Sequence, residues 1–355
     1  MRATRSIYTT SRDVLSWEKL ASVAGLDRFP QPKKAFELQS SGPAEEAFAP
    51  VYVHGRNSYL LAVLTMAPRT RLSIAKADIL AALAKSKQKI FSKTELEELL
   101  SENRAFWRLA QKTTVRQFIQ FLEKNANLQS HNLKFPRPIA RYSLGDIGPF
   151  ELVQSIHQNG YFSHYSAMSF HGLTEQIPKT IYFNIEQSLR PGGGELTQAG
   201  INRSFASDCR VTNNTASFQE YTIFLLNGGN TDQLGVVARP LGNTSSIRIT
   251  DLERTLIDIV VRPVYSGGIA EVAKAYAEAF DRVSINRLCA YLRQIGYTYP
   301  FHQSIGYYLE RSGKYKPTQI SQLQEFKIEL DFHLDYKMKY TEYIKKWRLY
   351  VPKGF

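Results

Sequence analysis

Cysteine is nearly missing from this chain of 355 residues, which carries only Cys209 and Cys289. The two lie far apart with no Cys-x-x-Cys spacing, which excludes a disulfide framework and a cysteine-built zinc site. No apolar run approaches the length needed to cross a bilayer. Met1-Arg2-Ala3-Thr4-Arg5 is not followed by an apolar segment, so no secretory signal is expected and a cytoplasmic protein follows. Internal repeats and low-complexity tracts are absent. Arg190-Pro191-Gly192-Gly193-Gly194 lacks both the strand–helix context and the Lys-Ser/Thr of a nucleotide-binding loop. Acidic charge is in deficit, with 32 Asp and Glu against 45 Lys and Arg, a net charge of +13 and a pI near 9.5. That balance points to an anionic partner, most simply nucleic acid. What remains is ordinary for a folded chain of two or three domains: 43% hydrophobic and 22% charged residues.

The basic excess is concentrated. Residues 71–145 hold 14 Lys and Arg against 6 Asp and Glu, a net of +8, while 1–70 contribute +3 and 146–355 contribute +2. The same stretch patterns as a winged helix-turn-helix. A first helix runs from Ser73 to Lys85 with Ile79, Leu80 and Leu83 inward. Ser92-Lys93-Thr94-Glu95 is a capping box opening a second helix that buries Leu96, Leu99 and Leu100. Val115, Phe118, Ile119 and Leu122 form a stripe at helical spacing on the helix that follows. Its other face carries Thr114, Arg116, Gln117 and Gln120, which have the reach and donors to read base edges from a major groove. Leu128–Phe135 and Ile139–Leu144, joined by Pro136-Arg137-Pro138, are two strands where a wing belongs. Candidate DNA-contacting residues are therefore Lys112, Thr113, Thr114, Arg116, Gln117, Gln120, Lys134, Arg137 and Arg141. Between the second and third helices, Arg104–Gln111 has Phe106, Leu109 and Ala110 out of phase with the later stripe, predicting a short helix or an elaborated turn.

Elsewhere the pattern is mixed α/β. Residues 1–70 form an N-terminal extension or accessory subdomain, with a helix over Val14–Ala24, loops at Pro30-Gln31-Pro32 and 40–50, and a hairpin from Val51–Val53 to Tyr59–Leu64. Gly145-Asp146-Ile147-Gly148-Pro149 is a linker, so 71–145 should bind DNA as a separable module. In 146–355 a helix covers Phe150–Gln158, closed by Gly160 as a C′ glycine. Strands follow at Thr180–Ile185, Tyr221–Leu226, Gly235–Arg239 and Ser246–Ile249, with a helix over Thr197–Phe205. Residues 250–312 are helical: Thr250-Asp251-Leu252-Glu253 is a second capping box, Ala273, Tyr276, Ala277 and Phe280 share a face, and Gly296 closes Ser284–Ile295. The tail around Trp347 is expected to return strands to the sheet.

Acidic and histidine pairs invite catalytic readings. His164 and His171 lack a third ligand for a metal. Glu253 is assigned to the capping box, and Arg254 lies four residues before Asp258 as an intrahelical ion pair. Glu325-Phe326-Lys327 has no upstream Asp to complete a nuclease set. Tyr307 and Tyr308 are expected half-buried rather than stacking platforms.

Two stretches are more specific than pattern. Tyr161-Phe162-Ser163-His164-Tyr165-Ser166-Ala167-Met168-Ser169-Phe170-His171-Gly172-Leu173-Thr174, with Pro178 and Tyr182, is the first. Asp251-Leu252-Glu253-Arg254-Thr255-Leu256-Ile257-Asp258, with Arg262-Pro263 and Gly267-Gly268-Ile269, is the second. Together they resemble AbiEi-type antitoxins of type IV toxin–antitoxin systems, over about residues 75–310. The residues carrying that signature are Tyr161, Ser163, Ser166, His171, Gly172, Leu173, Thr174, Asp251, Glu253, Arg254, Thr255 and Asp258. The resemblance implies an N-terminal winged helix followed by a larger α/β antitoxin domain. It also implies binding to double-stranded operator DNA, repression of its own operon, and neutralisation of a nucleotidyltransferase toxin encoded next to it. No cofactor, metal, membrane or catalytic activity is implied. A winged-helix regulator with a ligand- or protein-sensing C-terminal domain is the alternative, and a DNA-binding nuclease a third.

Overall fold

The computed structural model describes residues 70–188, 195–242 and 245–355, with the backbone of four short strands before them. The chain divides into two compact units, 1–70 and 71–355. In the first, β1 (Ser6–Tyr8) pairs with β2 (Val14–Ser16), and β3 (Val51–Gly55) with β4 (Ser58–Ala62), both antiparallel. The hairpin expected at 51–64 is present, whereas Val14–Ser16 is strand and not helix, its backbone paired with Ser6–Tyr8. The remainder of the helix proposed to Ala24, the loops at 30–32 and 40–50, and Arg190–Gly194 lie outside the described residues.

The second unit is mixed α/β. It begins with α1 (Arg71–Ile74) and α2 (Lys76–Lys85), which buries Ile79 and Leu83. After β5 (Ile90–Phe91) come α3 (Lys93–Asn103), α4 (Val115–Asn125), β6 (Leu128–Leu133) and β7 (Ile139–Leu144). The sheet order is β5-β7-β6, all antiparallel, with Leu128 opposite Leu144 and Leu133 opposite Ile139. Both helix starts are chemically determined: Ser92 and Glu95 satisfy each other's orphan N–H groups, and so do Thr114 and Gln117. Phe118, Ile119, Phe121 and Leu122 of α4 close a core with Ile79, Leu96, Leu100 and Trp107. Arg104–Gln111 is an elaborated turn. Its buried residues are Trp107 and Leu109, and Phe106 is 72% exposed.

The larger part is built on a six-stranded mixed sheet of order β10-β11-β9-β8-β13-β12. Its strands are β8 (Tyr161–Phe162), β9 (Thr180–Asn184), β10 (Thr215–Phe218), β11 (Tyr221–Leu226), β12 (Val236–Leu241) and β13 (Ser245–Thr250). Alternation sends Ile181 and Phe183, Ile223 and Leu225, and Ile247 and Ile249 into one core. That core also takes Leu152 and Val153 of α5 (Pro149–Gln154) and, from the hairpin of the basic segment, Leu133 and Phe135. This hairpin is thus packed on the larger part. Gly160 does not cap α5, which ends at Gln154; a Cβ there would lie 2.2 Å from the Phe183 ring, so close approach explains the glycine.

A second core surrounds α8 (Leu252–Val261), where every residue from Glu253 to Val260 is buried. Around it lie α6 (His164–Phe170), α7 (Gln198–Phe205), α9 (Ile269–Glu278), α10 (Ile285–Ile295), α11 (Phe301–Arg311) and α12 (Pro317–Gln324). α9 turns Val272, Ala275, Tyr276 and Ala279 inward. Of the face expected from Ala273, Tyr276, Ala277 and Phe280, Tyr276 is buried and Ala273 and Ala277 are half-buried, while Phe280 lies past the helix end and is exposed. Tyr307 and Tyr308 are buried, Tyr308 stacked on Tyr276. The tail does not rejoin the large sheet. β14 (Phe332–His333), β16 (Leu349–Pro352) and β15 (Thr341–Ile344) make a separate three-stranded sheet. Trp347 anchors it, reaching Gly306 of α11, where a Cβ would lie 2.2 Å from the indole, and donating to Glu310 at 2.6 Å. No helix among the described residues is long and apolar enough to cross a membrane.

Candidate nucleic-acid interface

On α4 the apolar stripe is buried and Arg116, Gln117 and Gln120 are exposed on the other side. They are not equivalent. The Gln117 carboxamide oxygen accepts from the Thr114 N–H at 2.9 Å, and the Thr114 hydroxyl accepts from the Gln117 N–H at 3.3 Å. Both expected contacts are therefore also the helix cap, and Arg116 and Gln120 are the uncommitted pair. Lys112 is exposed beside the cap, and the Thr113 carbonyl accepts from Arg104 at 3.1 Å. Lys134 and Arg137 are exposed at the tip of the hairpin.

Arg141 does not join them. Its Nε donates to the Ser155 carbonyl at 3.0 Å and its Nη2 to the Ile156 carbonyl at 2.9 Å, just beyond α5. Burial lowers its pKa, partly offset by the Glu95 carboxylate. This guanidinium fastens the β6–β7 hairpin to the larger part, and its assignment to a DNA surface is withdrawn. Burial alone would raise Glu95, but hydrogen bonds from the Ser92 N–H and hydroxyl and from Gln88 hold its carboxyl below the usual range. Arg71, Arg104, Arg108, Lys112, Arg116, Lys134 and Arg137 make no ion pair with a described residue. The ion pairs among described residues all fall between Asp208 and Arg348.

The two signature stretches meet in the larger part. Arg254, 3% exposed, pairs with Asp258 at 2.8 Å and donates to the Leu234 carbonyl at 2.7 Å and the Thr231 hydroxyl at 2.9 Å. Its Nη2 reaches the Tyr161 hydroxyl at 3.3 Å, which donates to Glu186 at 2.9 Å and accepts from Asn184 at 2.7 Å. Glu186 also accepts from the Thr231 N–H at 3.0 Å, the Thr231 hydroxyl and the Gln233 N–H. Burial would raise Glu186, but those donors bring its pKa below normal. Burial works against the Arg254 charge, and the Asp258 carboxylate more than restores it. Asn184, Glu186 and Thr231 were missed because no spacing links three single residues on separate loops and strands.

The other signature residues are equally committed. Asp251 caps α8 through the Arg254 N–H at 2.9 Å and accepts from the Tyr291 hydroxyl. Glu253 does not close a capping box: it accepts from the Ser284 N–H at 2.7 Å and faces Arg287 at 3.3 Å, joining α8 to α10. The Thr255 hydroxyl donates to the Asp251 carbonyl, and Ser166 accepts from the Tyr182 N–H. Ser163 bonds His164 Nδ1 at 2.8 Å, and His171 Nε2 bonds the Thr250 carbonyl at 2.7 Å. Leu173 is buried, Gly172 has φ +64°, and Thr174 bonds Tyr165 at 3.0 Å. Among the described residues no three His, Cys, Asp or Glu converge as metal ligands.

The chain is thus a mixed α/β protein in which a basic helical segment with a three-stranded sheet precedes a larger sheet-and-helix body. No family model and no curated protein matches it. Its fold is similar to the crystal structure of the Rv2827c protein from Mycobacterium tuberculosis, with TM-score 0.51 and 14% identity over 78% of this chain and 91% of that one.

Proposed function

We propose that the chain is a DNA-binding antitoxin that represses its own operon. In this reading residues 71–145 bind duplex DNA as a winged helix with α4 in the major groove, and the larger part counteracts a nucleotidyltransferase toxin encoded alongside. The observation that carries DNA binding is α4 itself. Its apolar side is buried, and Arg116 and Gln120 stand exposed and unpartnered amid cations that no described carboxylate neutralises. The antitoxin role rests on the resemblance carried by Tyr161–Thr174 and Asp251–Ile269. The reading assigns no catalytic step, since Glu253 and Asp258 are each spent on a neighbouring cation.

The test is a double substitution, Arg116→Ala with Gln120→Ala, leaving the Thr114–Gln117 cap intact. Each lost base contact costs about 1–3 kcal/mol, while the exposed positions should change stability by about half a kcal/mol or less. A reporter on the native promoter should be derepressed, and survival of cells expressing the neighbouring toxin should be retained. Unchanged repression would remove α4 as the reader, and lost rescue at equal abundance would make DNA binding part of neutralisation. A sensing regulator is the second reading. It is favoured by a cavity of about 420 Å³ lined by Tyr297, Tyr299, Phe301, His302 and Arg293.

A further inference from the structure

The turn before α4 holds three arginines around one hollow. Arg71 of α1 and Arg104 and Arg108 of the turn line a cavity of about 520 Å³ with Ser101, Leu109 and Gln111, and no carboxylate lines it. Arg104 bonds the carbonyls of Ala110 at 2.7 Å, Gln111 at 3.2 Å and Thr113 at 3.1 Å. It thereby ties the turn to the first residues of α4. Arg71 Nη1 approaches the Arg108 carbonyl at 3.5 Å, and Arg108 sits at φ +51°, an unusual conformation for a residue with a Cβ. Like charges gathered without a counter-charge repel, and a visiting anion relieves that repulsion. Guanidinium forks match the oxygens of a phosphate.

We propose that Arg71 and Arg108, the latter on a turn that Arg104 holds in place, form a phosphate-binding pocket that seats a backbone phosphodiester of duplex DNA next to the N-terminus of α4. This rests on the DNA-binding reading and adds to it a sequence-independent anchor, separate from Arg116 and Gln120. Phosphate contacts fix register and orientation without reading sequence. The same chemistry would accept the phosphate of a free nucleotide, so the experiment separates the two sources.

The full chain with Arg71→Ala and Arg108→Ala is compared with wild type and with Arg71→Lys/Arg108→Lys. Arg104 is spared because it staples the turn. Binding to the native upstream duplex and to a random duplex is followed by fluorescence anisotropy across a series of salt concentrations. The alanine variant should weaken both duplexes by a similar factor, leave their affinity ratio unchanged, and make the log–log salt slope shallower by about 1–2. The lysine variant should recover part of the affinity. Unchanged affinity and slope in the alanine variant overturns the proposal. If wild type binds no duplex, the DNA-binding reading fails by itself, and inorganic pyrophosphate titrated against both proteins decides the pocket. Binding lost in the alanine variant then keeps the pocket as a site for a free phosphorylated ligand; no binding, or equal binding, overturns it.

Discussion

A charged or polar group taken out of water must find partners inside the protein, and at the scale of single residues this explains most of the signature. Tyr161, Asn184, Glu186, Thr231, Arg254 and Asp258 satisfy one another, so the network fixes the loop before β12 to β8, β9 and α8. His164 shows the other solution, which is to stay neutral. It is buried at φ +51°, its Nδ1 bonded to Ser163 and its ring edge-on to Tyr265. Burial pushes its pKa down to about 4; Asp258 opposes this, and Arg254 and Arg262 add to it. An unfolded histidine titrates near 6.5. Between these values the unfolded chain takes a proton that the folded chain refuses. The stability is therefore whole above about pH 6.5 and is lost as pH falls toward 4, by on the order of 3 kcal/mol. His164→Asn tolerates the left-handed backbone and removes the titration. Its urea midpoint should fall less between pH 7 and pH 4.5 than that of wild type. Equal falls would show that His164 is not the group being protonated.

At the scale of elements, the sequence was most legible where chemistry is local. The cap at Ser92, the α4 stripe, the strands at 128–144 and the Arg254–Asp258 pair follow from local pattern. The Thr114–Gln117 cap, in contrast, went unread because both residues were assigned to DNA. Errors gathered where a distant element decides. Glu253 looks like a capping residue until α10 brings the Ser284 N–H to it, and Gly160 looks like a helix stop until Phe183 crosses it. On α9 only Phe280 was misplaced, because the pattern does not show that the helix stops at Glu278 before it. Trp107 was missed inside a turn. At the candidate interface the cation types were readable, but the use of Arg141 was not, since its acceptors lie 14 and 15 residues on. The cap at α4 gives a test at this scale. Thr114→Ala deletes the Oγ acceptor and should cost about 1 kcal/mol, read as a lower urea midpoint with an unchanged denaturant slope. A loss within error would mean that water serves the α4 terminus as well as Thr114 does.

At the scale of the whole molecule, the packing of the β6–β7 hairpin changes what the basic segment can do alone. The sequence suggests a separable module ending at Gly145, where the charge excess stops. Yet Leu133 and Phe135 are buried among Phe162, Ile181 and Ile247, His131 meets Phe218 edge-on at 5.5 Å, and Arg141 holds two carbonyls past α5. Residues 71–355 form one compact unit. Burying each of the two apolar side chains stabilises by about 1.5–3 kcal/mol. A domain of 75 residues has a total stability of only about 4–11 kcal/mol at ordinary values per residue. Cutting the chain at 145 removes the partners of Leu133, Phe135 and Arg141 together, a loss of about 3–6 kcal/mol from the apolar pair alone. The 71–145 fragment should therefore be partly unfolded or aggregated at 25 °C by circular dichroism and size exclusion. Leu133→Ser with Phe135→Ser should improve its solubility, yet destabilise the full chain, where the same positions are core. A fragment that unfolds cooperatively and binds the duplex as tightly as the full chain would show that the wing does not need its dock. If the fragment fails as expected, then whatever engages the larger part also bears on the hairpin and, through β6 and β7, on the basic segment. On the proposed function, repression and neutralisation would then be coupled through this hairpin.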